Sequence, residues 1–178
     1  MRIARLRDEA GWQALLPAVE TIFFAASAAP IPADRLARDA FRERWLGRYL
    51  EHYIDSAFVA VAADGMVAGY LAGCLDNPAH NPLFDDLGFY RDFAPLCAGY
   101  PGHLHVNVDA RLRSQGVGAA LVRAFAVQAS AAGLPGIHIV TNAAARNVGF
   151  YERNGFRKLS TCRWNQAMNV FMGRPLPQ

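Results

Sequence analysis

Cysteine is scarce: Cys74, Cys97 and Cys162 are the only three in 178 residues, an odd number with no C-x-x-C spacing. Neither a disulfide framework nor a cysteine zinc cluster is indicated, and the thiols read as reduced and structural. No apolar run reaches membrane-spanning length, and the opening MRIARLRDEAGW lacks the unbroken apolar core of a signal peptide. The expectation is a cytoplasmic protein with no membrane partner. Polar tracts long enough for a disordered tail are also missing. Charged residues make up 19% and the net charge is +3, with the arginines spread along the chain rather than gathered in a stripe. Nucleic-acid binding is therefore not indicated. What is plentiful is apolar surface, 53% of residues, which suits one globular domain over residues 1–178 with a full core.

Periodicity divides the chain into alternating elements. Arg2 to Leu6 reads as a short strand, and Asp8 as a helix cap. Pro17 suits the first turn of a helix carrying Val19, Ile22, Phe23 and Ala26 on one face, closed by the SAAPIP loop. A helix from Pro32 to Tyr53 places Leu36, Ala40, Phe41, Trp45, Tyr49 and Tyr53 at three-to-four spacing, the pattern of an amphipathic helix docked on a sheet. FVAVAADGMVAGYLAGCL is a hairpin turning at Ala63-Asp64-Gly65, and Gly69 and Gly73 mark a bulge or a close backbone approach. The segment from Asp76 to Gly102, rich in proline and aromatics, holds a short helix around Asp86 to Leu96; it reads either as a flap over a site or as a satellite core. HLHVNVD alternates, with Leu104, Val106 and Val108 on one face and His103, His105, Asn107 and Asp109 on the other. A helix runs from Gln115 or Gly116 to Ala132 with Gly133 at its end. GIHIVTN is a strand, Ala145 to Asn154 a helix ended by Gly155, and Phe156–Trp164 and Met168–Met172 two last strands. The order is that of an α/β fold with a mixed sheet.

The stretch VDARLRSQGVGAALV carries the chemistry. An apolar strand runs into two arginines and a G-V-G step, then straight into an Ala/Leu/Val-rich helix. Such a corner bares backbone N–H groups at the positive end of a helix, where an anion is attracted. Glycines at a tight turn produce the same pattern without any ligand, so the corner alone is weak evidence. A Rossmann dinucleotide site is disfavoured, because the full G-x-G-x-x-G fingerprint is absent.

VDARLRSQGVGAAL and ARNVGFYERNGF together resemble the GCN5-related N-acetyltransferase (GNAT) superfamily. Arg113, Gly116 and Gly118 fit its R/Q-x-x-G-x-G/A signature, and F-Y-E-R-x-G-F fits the helix and strand that follow. The likeness covers nearly the whole chain. The YPGHLHV stretch is also similar to bacterial members related to the acetyltransferase-like domain of O-GlcNAc hydrolases. The resemblance implies a central mixed, mostly antiparallel sheet flanked by helices, in the order β-α-α-β-β-β-α-β-α-β-β. It further implies acetyl-CoA as cosubstrate and direct transfer to an amine acceptor in a ternary complex.

On that resemblance, the backbone from Arg113, Ser114, Gln115 and Gly116 through Val117, Gly118 and Ala119 would cradle the pyrophosphate. Arg113 would add charge, while Arg111 is read as solvated. The strand at Val106 and Val108 would pair with the pantetheine arm. Tyr151 matches the family tyrosine that protonates the leaving thiolate. Ala144 stands where the family often has Asn, so Asn142 or Asn147 is expected to replace that cofactor contact. The strand carries no glutamate to serve as base, which leaves His105, Asn107 and Asp109 as candidates; a neutral imidazole near pH 7 can accept a proton. His103 and His105 with Asp109 offer a metal alternative, but H-x-H is a common pattern and His52, His80 and His138 lack supporting spacing, so no metal is expected. The apolar run NVFMGRPL is a candidate homodimer contact. The alternative to an enzyme is a catalytically inactive binding module of the same fold, against which the intact glycine corner and Tyr151 weigh.

Overall fold

The computed structural model describes residues 1–27 and 30–177. Ala28 and Ala29 of the SAAPIP loop, and Gln178, lie outside them. In chain order the elements are β1 (Arg2–Arg5), α1 (Leu16–Ala26), α2 (Arg35–Arg42), a π-helical turn (Glu43–Gly47), α3 (Arg48–His52), β2 (Ala57–Val61), β3 (Val67–Cys74), α4 (Phe89–Gly99), β4 (Gly102–Val108), α5 (Val117–Ala131), β5 (Gly136–Asn142), α6 (Val148–Arg153), β6 (Arg157–Trp164) and β7 (Ala167–Pro175). This is the expected α/β order, with the short helix expected around Asp86 to Leu96 formed as α4 and the expected helix from Pro32 to Tyr53 divided by the π-helical turn. Asp8 is no cap: it lies inside a 3-10 turn over Leu6–Asp8. Among the described residues, no helix is long and apolar enough to cross a membrane.

The chain forms two compact units, one of residues 1–73 with 105–125, the other of 74–104 with those from 126 onward. Strands in the first follow the order β1-β2-β3-β4, and in the second β4-β5-β7-β6, β4 contributing residues to both.

In the first unit β1, β2 and β3 are antiparallel. The hairpin turns where Gly65 takes φ +85°, a conformation glycine adopts without a steric cost. A shift of register between Ala60 and Val61 marks a bulge in β3. Next to it, a Cβ on Gly69 would stand 2.8 Å from the Asn107 carbonyl oxygen, so this glycine lets the backbone of β4 approach closely. Both hairpin strands are buried at every position, the pattern of strands covered on both faces. Val19, Leu46, Tyr49, Val59, Leu71 and Phe125 are fully buried.

One expectation fails in the first unit, and the cause is local. Leu36 is 79% exposed and Ala40 is exposed, whereas Leu46 and Tyr49 are completely buried. The π-helical turn puts one extra residue into the helical run and rotates everything after it by about 100°. A single 3.6-residue face drawn from Leu36 to Tyr53 therefore misplaces its first turns and overlooks Leu46.

In the second unit β4 pairs with β5 in parallel at Gly102↔Ile137 and His103↔His138, β5 with β7 antiparallel, and β7 with β6 antiparallel. The proline- and aromatic-rich segment belongs to this unit's core. Phe84, Phe89, Tyr90 and Phe93 are all buried, and Phe84 and Tyr90 pack against His103 at ring distances of 4.7 and 5.8 Å. His138 stacks on Phe171 at 4.4 Å and donates through Nδ1 to the Tyr100 carbonyl. The core reading of this segment holds over the flap, and His103 is a core histidine rather than part of an open polar stripe. NVFMGRPL lies in β7, bonded on one side to β5 and on the other to β6, with Val170, Phe171 and Met172 buried.

Packing around Gly73 supplies a test of the first unit. A Cβ there would fall 2.4 Å from the ring of Phe125, itself fully buried and unable to swing away. Gly73→Ala is expected to cost about 1–3 kcal/mol through overpacking, read as a lower urea midpoint at unchanged slope.

Candidate active site

At the end of β4 the chain turns through a 3-10 turn, Ala110–Leu112, capped by Asp109. The Asp109 carboxylate accepts from the Arg111 backbone N–H at 2.9 Å and from Arg111 Nε and Nη2 at 3.0 and 2.8 Å. These bonds to Arg111 hold its carboxyl down to about 2. Asp109 thus fixes the turn, and Arg111, read from sequence as solvated, is its ion-pair partner.

The corner proper follows. Arg113 is extended, with Nε 3.4 Å from the Val108 carbonyl. Ser114 and Gly116 both take positive φ, +61° and +82°, and Gln115 Nε2 donates to the Arg111 carbonyl. Ala120 N–H donates to the Gly116 carbonyl at 3.0 Å, which makes Gly116 the N-cap of α5. The N–H groups of Val117, Gly118 and Ala119 are then the ones that a helix start leaves without an intrahelical acceptor. Residues 113–116 are exposed, and a Cβ on Gly116 would meet nothing within 4 Å. Glycine is required there by backbone angle, and the space above it is open. A 15-residue helix beginning at an exposed corner suits an anion such as a pyrophosphate.

Further back on β4, two polar side chains are each held by a tyrosine. His105 Nε2 lies 3.2 Å from Tyr49 Oη, and the rings of Trp45 and Tyr49 stand edge-on to the imidazole at 5.5 and 5.2 Å. Asn107 Nδ2 donates to Tyr70 Oη at 2.8 Å. Both tyrosines are buried. Burial, with a smaller contribution from the Arg48 guanidinium, pushes the His105 imidazole down to about 4. It is neutral throughout the neutral pH range, and it is a weak base.

In the second unit, β5 ends at Asn142, whose Oδ1 accepts from Ala144 N–H at 2.8 Å. Asn147 Oδ1 accepts from Thr141 Oγ1 at 3.2 Å, and its carbonyl accepts from Tyr151 N–H. Asn142, Asn147 and Tyr151 are therefore brought together locally, on the turn into α6 and one turn along it. Tyr151 is 5% exposed, between Phe150 and Phe156, and burial raises its phenol. Among the described residues, no group of three or more His, Cys, Asp or Glu is placed to hold a metal ion.

Sequence reasoning missed Trp45, Tyr49 and Tyr70 as partners of the β4 face. The aromatic spacing of the helical run was visible, but nothing local ties Tyr49 to a residue 56 positions away.

Residues 55–158 match the family model described as acetyltransferase (GNAT) domain. Among solved structures, SsHAT is similar at TM-score 0.77 and 20% identity over 99% of this chain and 98% of that one. PH1933 from Pyrococcus horikoshii OT3 is similar at TM-score 0.73 and 16% identity over 99% of both chains. A ribosomal-protein-alanine N-acetyltransferase from Brucella melitensis is similar at TM-score 0.64 and 19% identity, over 99% of this chain and 100% of that one.

The Asp109–Arg111 pair makes a pH-dependent contribution of known sign. A carboxyl lowered in the folded state stabilises it above the ordinary value of 3.8, and that contribution is lost as pH falls toward about 2. Denaturation midpoints taken stepwise across that window are expected to slope less in Asp109→Asn than in the wild type.

Proposed function

The chain belongs to the acetyltransferase (GNAT) domain family, and from that premise we propose that it is an acetyl-CoA-dependent N-acetyltransferase, transferring directly to an amine in a ternary complex within one domain. The observation that carries this reading is the corner before α5, where residues 113–116 are exposed and Gly116 caps the helix, so that the N–H groups of Val117, Gly118 and Ala119 open it without an intrahelical acceptor at its positive end. There the backbone from Arg113 through Ser114, Gln115, Gly116, Val117 and Gly118 to Ala119 takes the pyrophosphate. The Arg113 guanidinium adds a charge-assisted contact. Backbone groups at Val106 and Val108 pair with the pantetheine arm in the manner of an added strand. Asn142 and Asn147, each anchored through Oδ1, keep NH₂ donors for the cofactor contact that Ala144 does not supply.

Bound acetyl-CoA supplies an acyl thioester, whose carbon forms a bond to the amine nitrogen as its bond to sulfur breaks. His105 receives the proton that the amine sheds, being neutral at working pH. Asn107, oriented by Tyr70, holds the acceptor by hydrogen bonding. Asp109 keeps the corner in shape through Arg111. Tyr151 donates to the departing sulfur. Burial ensures that it carries its proton at neutral pH, and because a phenol holds its proton more tightly than a thiol, whose ordinary value is about 8.5, the donation acts as a strong hydrogen bond to the developing thiolate.

Calorimetric titration with acetyl-CoA tests the cofactor half of this reading. The wild type is expected to bind, and Gly118→Glu, which sets a negative side chain at the helix start, to lose binding; a well-folded wild type that does not bind overturns the reading and leaves an inactive module. For the chemistry, Tyr151→Phe is expected to lower kcat on the order of 100-fold at unchanged acetyl-CoA affinity.

A further inference from the structure

Resting on the acetyl-transfer reading, we propose that Trp45 determines acceptor specificity and that the acceptor is an arylmethylamine, its nitrogen one carbon from an aromatic ring, because a half-open indole stands edge-on beside the imidazole that takes the amine's proton.

The rings around the β4 face differ in what they leave open. Tyr49 is completely buried and closes one side of the imidazole, its hydroxyl 3.2 Å from Nε2. Tyr70, 2% exposed, stands in the same way behind Asn107. Trp45, His105 and Asn107 are only half-buried, so of the two rings packed on the imidazole the indole is the one that keeps surface for a ligand. Trp45 takes this place from within the π-helical turn. It precedes Tyr49 by four residues and meets the same imidazole, at 5.5 Å against 5.2 Å for Tyr49, while Leu46 beside it goes into the core. Two carboxylates of this unit are already placed: Glu43 lies back over Gly47, where it occupies the position of a Cβ, and Asp109 is bonded twice to the Arg111 side chain. What the indole offers the rest of the acceptor is therefore apolar and aromatic surface. A nitrogen hydrogen-bonded to the imidazole stands about 3 Å from it. A ring one carbon further on comes level with an indole 5.5 Å from that imidazole. Aromatic pairs gain more than the area they bury, and an amine that arrives as a cation is drawn to ring faces rather than repelled. A short alkyl chain brings little area to the indole, and a saturated ring brings area without the aromatic gain. The substituent takes no part in bond making, so the C–N bond forms and the C–S bond breaks as described above.

Benzylamine, cyclohexylmethylamine and propylamine make the test, each a primary amine with its nitrogen on a CH₂ group. In the wild type kcat/KM is expected to be highest for benzylamine and lowest for propylamine. Trp45→Ala is expected to cut the benzylamine-to-propylamine ratio about tenfold and the benzylamine-to-cyclohexylmethylamine ratio about threefold. The intrinsic reactivities of the amines cancel when wild type and variant are compared in this way. Trp45→Phe, which keeps a ring, should hold both ratios between those of the wild type and the alanine variant, and acetyl-CoA affinity should stay the same throughout. A Trp45→Ala protein slowed by one common factor for all three amines has lost only structure, and that result overturns the proposal. So does a benzylamine-to-cyclohexylmethylamine ratio that the substitution leaves alone. Indole ¹⁵N NMR, with the Trp45 signal assigned by Trp45→Phe and CoA in place of acetyl-CoA so that nothing is transferred, decides without turnover. Benzylamine is expected to shift that signal and propylamine to leave it where it is; a signal indifferent to benzylamine sinks the inference. A wild type that does not bind acetyl-CoA strikes the acetyl-transfer reading itself, and this inference with it, so the two failures are told apart.

Discussion

Everything in the cofactor half of the proposal depends on the backbone angle at Gly116. A residue at φ +82° reverses the chain in a single step, so α5 begins directly after the exposed turn that closes β4. A residue with a β-carbon would fit the space but resist the angle. Ser114, also at positive φ, shares that strain. The turn before it is held by the charge-assisted clamp between Asp109 and Arg111, directly after the strand.

The two groups assigned to proton handling are tuned by one cause with opposite results. Burial disfavours charge, which lowers an imidazole and raises a phenol. His105 and Tyr151 are therefore both neutral over the whole neutral range. A pair of neutral groups cannot bind substrate by ion pairing. Whatever selectivity they give must come from shape, from hydrogen bonding and from the charge of the substrate itself.

Legibility followed the range of the interactions. The hairpin with its Asp64-Gly65 turn, the strand–corner–helix and the glycine stops at Gly133 and Gly155 are set by residues within a few positions of one another, and all were readable. The α/β class was readable for the same reason. Contacts between distant residues were not: Tyr49 with His105, Tyr70 with Asn107, and the aromatic packing that takes Phe84, Tyr90 and His103 into a core instead of a flap. Alternation put His103 and His105 on one stripe, but alternation does not say what covers each position. The helical run from Arg35 misled for a different reason. Its spacing was real, but an irregular turn broke the period in the middle.

That π-helical turn amounts to a one-residue insertion carried in register. Removing one residue between Glu43 and Gly47 would let the run close as a continuous α-helix, and Trp45 and Tyr49 would change phase with respect to everything before them. Related chains that differ by one residue at this point would thus present different side chains to the same strand face. Length variation here, rather than substitution, is an economical route by which such a scaffold could exchange one acceptor preference for another.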